Sequence, residues 1–189
     1  GTNRFDTKTV LITGGAGDIA LATAAAFLRE GGHVTLLDHD ASALRARIAE
    51  LSELGDVHGI VADVTEELDM RSAVEETLDR MGRIDVFFNN AGVEGEFCAL
   101  TDTDVAAFDH VMRVNVRGAF LGLKFVLPSM TRHARGSIVN MSSVAGLEGS
   151  VGMASYVTSK HAIVGLTKVA ALEAAASGVR VNSIHPTAV

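Results

Sequence analysis

The chain has no tryptophan, a single cysteine and only two prolines in 189 residues. One cysteine, Cys98, excludes an intramolecular disulfide framework and fits a reducing, cytoplasmic compartment. Scarce proline, with 48% hydrophobic and 21% charged residues, excludes collagen-like and disordered classes. No run of Lys or Arg appears, and 16 basic against 23 acidic residues give a net charge of −7. Such a chain has no counter-ion-gathering surface for nucleic acid or an anionic membrane. The seven histidines are scattered without metal-ligand spacing. No apolar stretch reaches the roughly 18 residues of a membrane span, and the N-terminal charge and apolar layout is not that of a signal peptide. What remains is a globular chain of about one domain's length, read as a single domain over residues 1–189.

Short apolar runs alternate with helix-forming segments. Lys8–Thr13 is β-branched and stops at Gly14-Gly15, which predicts a buried strand ending in a tight turn. A helix is expected over Ala20–Arg29, then strand His33–Asp38, helix Ala41–Glu53, strand Val57–Ala62, helix Glu66–Met81 and strand Ile84–Phe88. A long helix over Asp104–Met130, strand Ser137–Met141, helix Ser155–Ala176 and strand Arg180–Ile184 complete the pattern. Strands alternating with helices of about 10–15 residues predict right-handed βαβ units in one parallel sheet. The nearly continuous apolar strands fit burial on both faces, a doubly wound α/β fold. The two long helices are apolar on more than one face, through Val111, Phe120 and Val126 in the first and Ile163, Val169 and Leu172 in the second. The surplus face needs either more of this chain or another subunit to cover it, the plainer alternative being a helix well buried inside a monomer.

Thr13-Gly14-Gly15-Ala16-Gly17-Asp18-Ile19-Ala20 joins the first strand to the first helix. Helix N-terminal N–H groups and the positive end of the dipole favour a pyrophosphate there. A glycine-rich turn alone is often only a turn, but Asp38 at the end of the second strand adds a carboxylate that can accept bonds from adenosine ribose hydroxyls. The same charge repels a 2′-phosphate, and no Arg or Lys lies in the turn or just after Asp38, so NAD is expected over NADP. Asp63-Val64 and Asn89-Asn90-Ala91-Gly92 end the third and fourth strands on the same edge.

Tyr156 and Lys160 stand four apart at a helix start and so share one face. A free tyrosine, with a pKa near 10, is a poor base at neutral pH, and a neighbouring cation stabilises its phenolate. Ser143, just after the fifth strand, can offer its hydroxyl to a substrate oxygen. Asn115 lies inside a helix, where its amide competes for backbone bonds, and a functional role would explain it.

Taken together, the glycine turn, Asp38, Asp63-Val64, Asn89-Asn90-Ala91-Gly92, Asn115, Ser143, Tyr156-x-x-x-Lys160 and Asn182-Ser183-Ile184-His185-Pro186 resemble the short-chain dehydrogenase/reductase family in order and spacing. The resemblance implies a Rossmann-like sheet and an oxidoreductase moving a hydride between NAD(H) and a small secondary alcohol or ketone. It implies catalytic roles for Asn115 (holding a relay water), Ser143 (binding the substrate oxygen), Tyr156 (general acid/base, also on the substrate) and Lys160. It places the cofactor on Gly14, Gly17, Asp18, Ile19, Asp38, Asp63, Val64, Asn90, Ala91, Gly92, Tyr156, Lys160, Pro186 and Val189, and implies a homotetramer.

Asp18 and Ala20 replace the family's second and third glycines, and Thr187 replaces a glycine after Pro186. Aspartate tolerates a left-handed backbone and caps helices, yet its charge would crowd a pyrophosphate. Members of this branch continue into a further strand and a substrate flap, so the sequence is expected to extend past Val189. Two rival readings are a non-catalytic dinucleotide-binding relative, against which the intact tetrad argues, and a dehydratase or epimerase of the same superfamily.

Overall fold

A computed structural model describes residues 3–187. Six strands form one parallel sheet: β1 (Thr9–Thr13), β2 (His33–Asp38), β3 (Val57–Val61), β4 (Val86–Asn89), β5 (Gly136–Met141) and β6 (Val179–Ile184). Their order is β3-β2-β1-β4-β5-β6. The chain winds outward from β1 in one direction, crosses back, and winds outward from β4 in the other. The reversal falls between β1 and β4, where Leu11 pairs with Phe87 and Ile12 with Phe88. A crevice at the carboxyl ends of these two strands is the consequence.

Alternate side chains of each strand feed opposite faces. Val10, Ile12, Val34 and Leu36 pack under α1 (Asp18–Arg29) and α2 (Ala41–Leu51). Leu11, Phe87, Ile138 and Val181 pack under α3 (Glu67–Met81), α5 (Gly118–Arg132) and α6 (Ala154–Ala174). Helix ends are set by local chemistry. Asp40 accepts from Ser42 N and Ala43 N, both at 2.9 Å, and so starts α2. These bonds, led by that from Ala43, hold its carboxyl below the usual range. Gly82, with φ +77°, stops α3 in the left-handed region.

All six expected strands are present, with ends shifted by up to two residues. The first helix begins at Asp18 rather than Ala20 because Gly17 is already its N-cap. The expected long helix over Asp104–Met130 is a compound element: α4 (Val105–Met112), a π-helical turn over Arg113–Arg117, and α5. Asn115 sits in the π turn, and such turns recur at functional positions. Among the described residues no helix is long and apolar enough to cross a membrane.

Candidate active site

The ends of β1 and β4 are stitched together. Thr13 Oγ1 accepts from Asn90 N at 3.0 Å and Ala91 N at 3.1 Å, while Asn90 Nδ2 donates to Thr13 O at 3.0 Å. Gly14 takes φ +65°, and a Cβ there would lie 2.9 Å from Ala91 Cα. Only glycine meets both demands, so the turn stays thin where β1 and β4 diverge. The Asn90 amide is thereby spent on holding the strands.

A cleft of about 440 Å³ opens beyond this turn, lined by Gly14, Asp38, Asp63, Val64, Ala91 and Gly92 among others. A smaller recess carries Gly17, Asp18, Ile19, Asn90, Tyr156 and Lys160. The two share Gly14, Asp38, Ala91 and Gly92 and so form one path along the strand ends. Asp38 is buried at its start, accepting from Ala16 N through Oδ2 and from Asp40 N through Oδ1, each at 3.0 Å. Burial would raise Asp63, but hydrogen bonds from Thr65, whose N lies 2.8 Å from Oδ1, hold its carboxyl below the usual value.

At the far end, Asn115 is buried in its π turn. Its Oδ1 accepts from Val93 N, and its Nδ2 donates to Val93 O at 2.8 Å and to Ser159 Oγ at 2.9 Å. Ser159 in turn donates to Tyr156 O at 2.8 Å. Both amide protons of Asn115 are therefore engaged in protein contacts, and its side chain keeps one Oδ1 lone pair.

Lys160 is only 4% exposed. Its Nζ lies 5.3 Å from the centroid of the Tyr156 ring and donates to Met141 O at 3.0 Å. Burial lowers its pKa to about 8. Gly92 separates Lys160 from Asn115: a Cβ there would stand 3.2 Å from Asn115 Oδ1 and 3.5 Å from Lys160 Nζ. Ser143 and Tyr156 share a second cavity, of about 480 Å³, with Ile19, Met141, Pro186 and Thr187 on its walls. Ser143 Oγ accepts from Ala145 N at 3.2 Å, and its carbonyl lies 3.0 Å from Nδ1 of His185. Despite Thr187, Pro186 O is kept beside the site by Val144 N at 3.1 Å. Val189 lies outside the described residues.

The fold thus gathers every expected site residue within residues 3–187 along one edge of the sheet. Ser159 and Arg47 escaped sequence reasoning, and His185, met there only as part of the sixth-strand motif, gains a role. Ser159 links Asn115 to the Tyr156 backbone, and His185 braces Ser143 through its carbonyl. Arg47, from α2, donates to Ala16 O at 3.0 Å and pairs with the Asp18 carboxylate. The aspartate in the turn, whose charge is expected to crowd a pyrophosphate, is therefore paired with a cation 29 residues away in sequence. Nothing in the sequence marks Arg47, since it is one of several polar residues on an exposed helix. Among the described residues no group of three His, Cys, Asp or Glu side chains is arranged for a metal.

Comparison with known proteins agrees with this arrangement. A family model described as short chain dehydrogenase matches residues 8–189. Levodione reductase of Leifsonia aquatica is 40% identical over 191 aligned residues, covering 100% of this chain and 72% of that protein. The 2-(S)-hydroxypropyl-CoM dehydrogenase 3 of Xanthobacter autotrophicus is 42% identical, covering 98% of this chain and 72% of its own length. The crystal structure of levodione reductase superposes with a TM-score of 0.96 over 98% of this chain and 73% of that one. NAD⁺-bound xylitol dehydrogenase also gives 0.96, at 40% identity, over 97% of this chain and 71% of its own. With the family's pattern carried on one sheet edge and that likeness running the length of the chain, the protein belongs to the short-chain dehydrogenase/reductase family.

Proposed function

We propose that this chain is an NAD-dependent oxidoreductase that interconverts a small secondary alcohol and its ketone, with Tyr156 as the group that moves the proton. The observation that carries the reading is the meeting of Ser143 and Tyr156 in one cavity whose floor adjoins the dinucleotide cleft, with the Lys160 ammonium beside the phenol ring.

The cleft fits a dinucleotide. Asp38 offers carboxylate oxygens for ribose hydroxyls, and the turn Gly14–Asp18 leads into the N-terminus of α1 for a pyrophosphate. Asp63 and Val64 would flank the adenine. Ala91, Gly92, Tyr156, Lys160 and Pro186 would hold the nicotinamide half. When bound, NAD would supply a two-electron acceptor for hydride from the carbinol carbon, and its reduced form the donor for the reverse direction.

The protein's own residues handle the oxygen. In oxidation the Ser143 hydroxyl donates to the substrate oxygen and the Tyr156 phenolate takes the alcohol proton as the carbonyl forms. In reduction the phenol gives that proton back to the developing alkoxide. Lys160 supplies positive charge beside the ring on which negative charge develops. Asn115 fixes Val93 and, through Ser159, the backbone of Tyr156, so it acts as a positioning residue. The lone thiol Cys98 fits a cytoplasmic setting.

A second copy of the chain is proposed to cover the groove between α5 and α6, leading to a homotetramer. Phe120, Leu127, Leu166 and Val169 line this groove, of about 690 Å³. Phe120 is 46% exposed and Val169 56%, a large apolar surface for one face of a monomer.

The activity is tested by adding NAD and a panel of secondary alcohols to the protein and following the absorbance of reduced nicotinamide. Reduction with at least one alcohol, absent in Tyr156→Phe, is expected. Equal reduction by the Tyr156→Phe variant would remove the proposed proton carrier.

A further inference from the structure

Asp18 is the first residue of α1 and 90% exposed, at the helix end where a pyrophosphate would dock. A carboxylate there competes with the ligand for the same positive potential. Arg47 lies across the turn from it, and two of its contacts reach the turn. Nε donates to Ala16 O at 3.0 Å, and Nη2 pairs with Asp18 Oδ1 at 2.5 Å. Glu50 sits on the far side of the guanidinium, 3.4 Å from Nη1, and Arg47 is itself only 28% exposed.

Ala16 is held from both sides. Its N–H donates to Asp38 Oδ2 at 3.0 Å, while its carbonyl accepts from Arg47. Gly17 N closes the loop onto Gly14 O at 3.1 Å. One guanidinium therefore performs two tasks, fixing the middle of the turn and neutralising the charge that replaces a glycine. The planar fork of arginine suits this pair of acceptors in a way that a lysine ammonium does not.

We propose that Arg47 is a positioning residue for the dinucleotide, which makes a turn carrying Asp18 acceptable to a pyrophosphate. The proposal rests on the NAD reading above. It treats Asp18 and Arg47 as one unit, contributed by two helices, that stands in for the missing glycine.

The test measures binding, not turnover. NAD, ADP and adenosine are titrated calorimetrically into the wild-type chain, Arg47→Met, Asp18→Asn and the double variant. ADP carries the pyrophosphate and adenosine does not. Arg47→Met is expected to weaken NAD and ADP by about five- to tenfold while leaving adenosine within about twofold. The double variant should recover most of that loss, because the uncompensated carboxylate is gone. Raising salt from about 0.05 to about 0.5 M should shrink the difference between Arg47→Met and wild type, since the effect is one of charge. Asp18→Asn removes the carboxylate nearest the pyrophosphate and leaves Arg47 with Glu50 as its one remaining carboxylate partner there, so ADP should bind severalfold tighter with adenosine unchanged. That arm stands even if Arg47→Met fails to fold.

Wild-type affinity for ADP in Arg47→Met overturns the proposal, as does a double variant no better than Arg47→Met. Equal losses for ADP and adenosine would make Arg47 a structural support of the adenosine pocket and also overturn it, as would weaker ADP binding in Asp18→Asn. A wild-type chain that binds neither NAD nor ADP overturns the cofactor reading together with this one. Binding by wild type with an indifferent Arg47 variant overturns this one alone.

Discussion

Asn115 and Val93 exchange two hydrogen bonds, Val93 N to Oδ1 and Nδ2 to Val93 O, both 2.8 Å long. The side chain imitates a neighbouring strand and pins the segment after Gly92, while its second amide proton reaches Ser159 and so the carbonyl of Tyr156. Truncating a buried group of this kind leaves several polar partners unpaired, at about 1–3 kcal/mol each. Asn115→Ala is therefore expected to lower the unfolding free energy by about 2–4 kcal/mol and to depress kcat as Tyr156 loses its anchor. Ser159→Ala, which spares the exchange with Val93, should cost only about 1 kcal/mol. Urea unfolding of the two variants checks this, and equal losses would mean that Ser159, not Val93, is the partner that matters.

Tyr156 is the chain's single tyrosine, so no other phenol can take over its role. Tyr156→Phe keeps the ring over which Lys160 Nζ lies and removes only the proton-carrying oxygen. Turnover should fall at least about a hundredfold with NAD affinity within about twofold of wild type. Lys160→Ala should damage both quantities, because its ammonium faces the ring and the cofactor recess alike. Steady-state rates beside NAD titrations separate the two variants. A phenylalanine variant that keeps more than about a tenth of kcat would place proton transfer elsewhere.

Much of this architecture was legible in the sequence because its signals are local. The six strands announce themselves as short apolar runs alternating with helix-forming segments, and the i, i+4 spacing of Tyr156 and Lys160 fixes their common face whatever surrounds them. The π turn at Asn115 was not legible: one extra residue per turn over Arg113–Arg117 leaves the apolar pattern of a long helix nearly unchanged. Nor was the destination of the Asp18 charge, since Arg47 reaches it only through the packing of α2 beside the turn. The proton of His185 and the hydroxyl of Ser159 belong to the same category. Their roles arise from which strand end or helix turn lies opposite, and spacing along the chain says nothing about that.

Burial of Lys160 couples its protonation to stability. Its pKa falls from 10.5 to about 8 on folding, because the charged form is desolvated. Below about pH 8 both states carry the proton and the cost of burying the charge is felt in full. Between about pH 8 and 10.5 the unfolded chain holds a proton that the folded chain has released, so stability rises with pH across that window, by on the order of 3 kcal/mol. Urea unfolding of ligand-free wild type and Lys160→Met over this range isolates the effect. Wild type should gain on the variant as pH rises, and a constant difference would show that Lys160 does not titrate there.

Asp38 is expected to decide between the two nicotinamide cofactors. Each of its carboxylate oxygens already accepts one backbone N–H, from Ala16 and Asp40, which holds the group in place at the end of β2. A 2′-phosphate brought beside it would meet a fixed negative charge, so NAD should bind at least about tenfold tighter than NADP. Asp38→Ala should narrow the gap from both sides, relieving the repulsion of NADP and loosening the turn at Ala16 for NAD. Comparable wild-type affinities in parallel titrations would remove Asp38 from the ribose site.

The groove between α5 and α6 makes a prediction about assembly. The inner faces of these helices are filled by Leu123, Val126, Met130, Ala170 and Ala174 on the sheet, so the outward Phe120, Val169 and Leu172 have no sheet left to meet. Leu172 is 80% exposed. A two-fold axis along the groove would lay each copy's apolar ridge against the other's, a self-complementary contact that pairs two subunits, and a second two-fold contact would join two such pairs into the proposed tetramer. Light scattering at micromolar concentration should give a mass near four subunits. Val169→Asp puts a charge in the middle of that contact and should shift the mass to dimers or monomers while leaving NAD binding nearly intact, because Val169 is not among the residues that line the dinucleotide cleft. A wild-type monomer, or a Val169→Asp variant that assembles as before, would mean that the subunits do not meet through this groove.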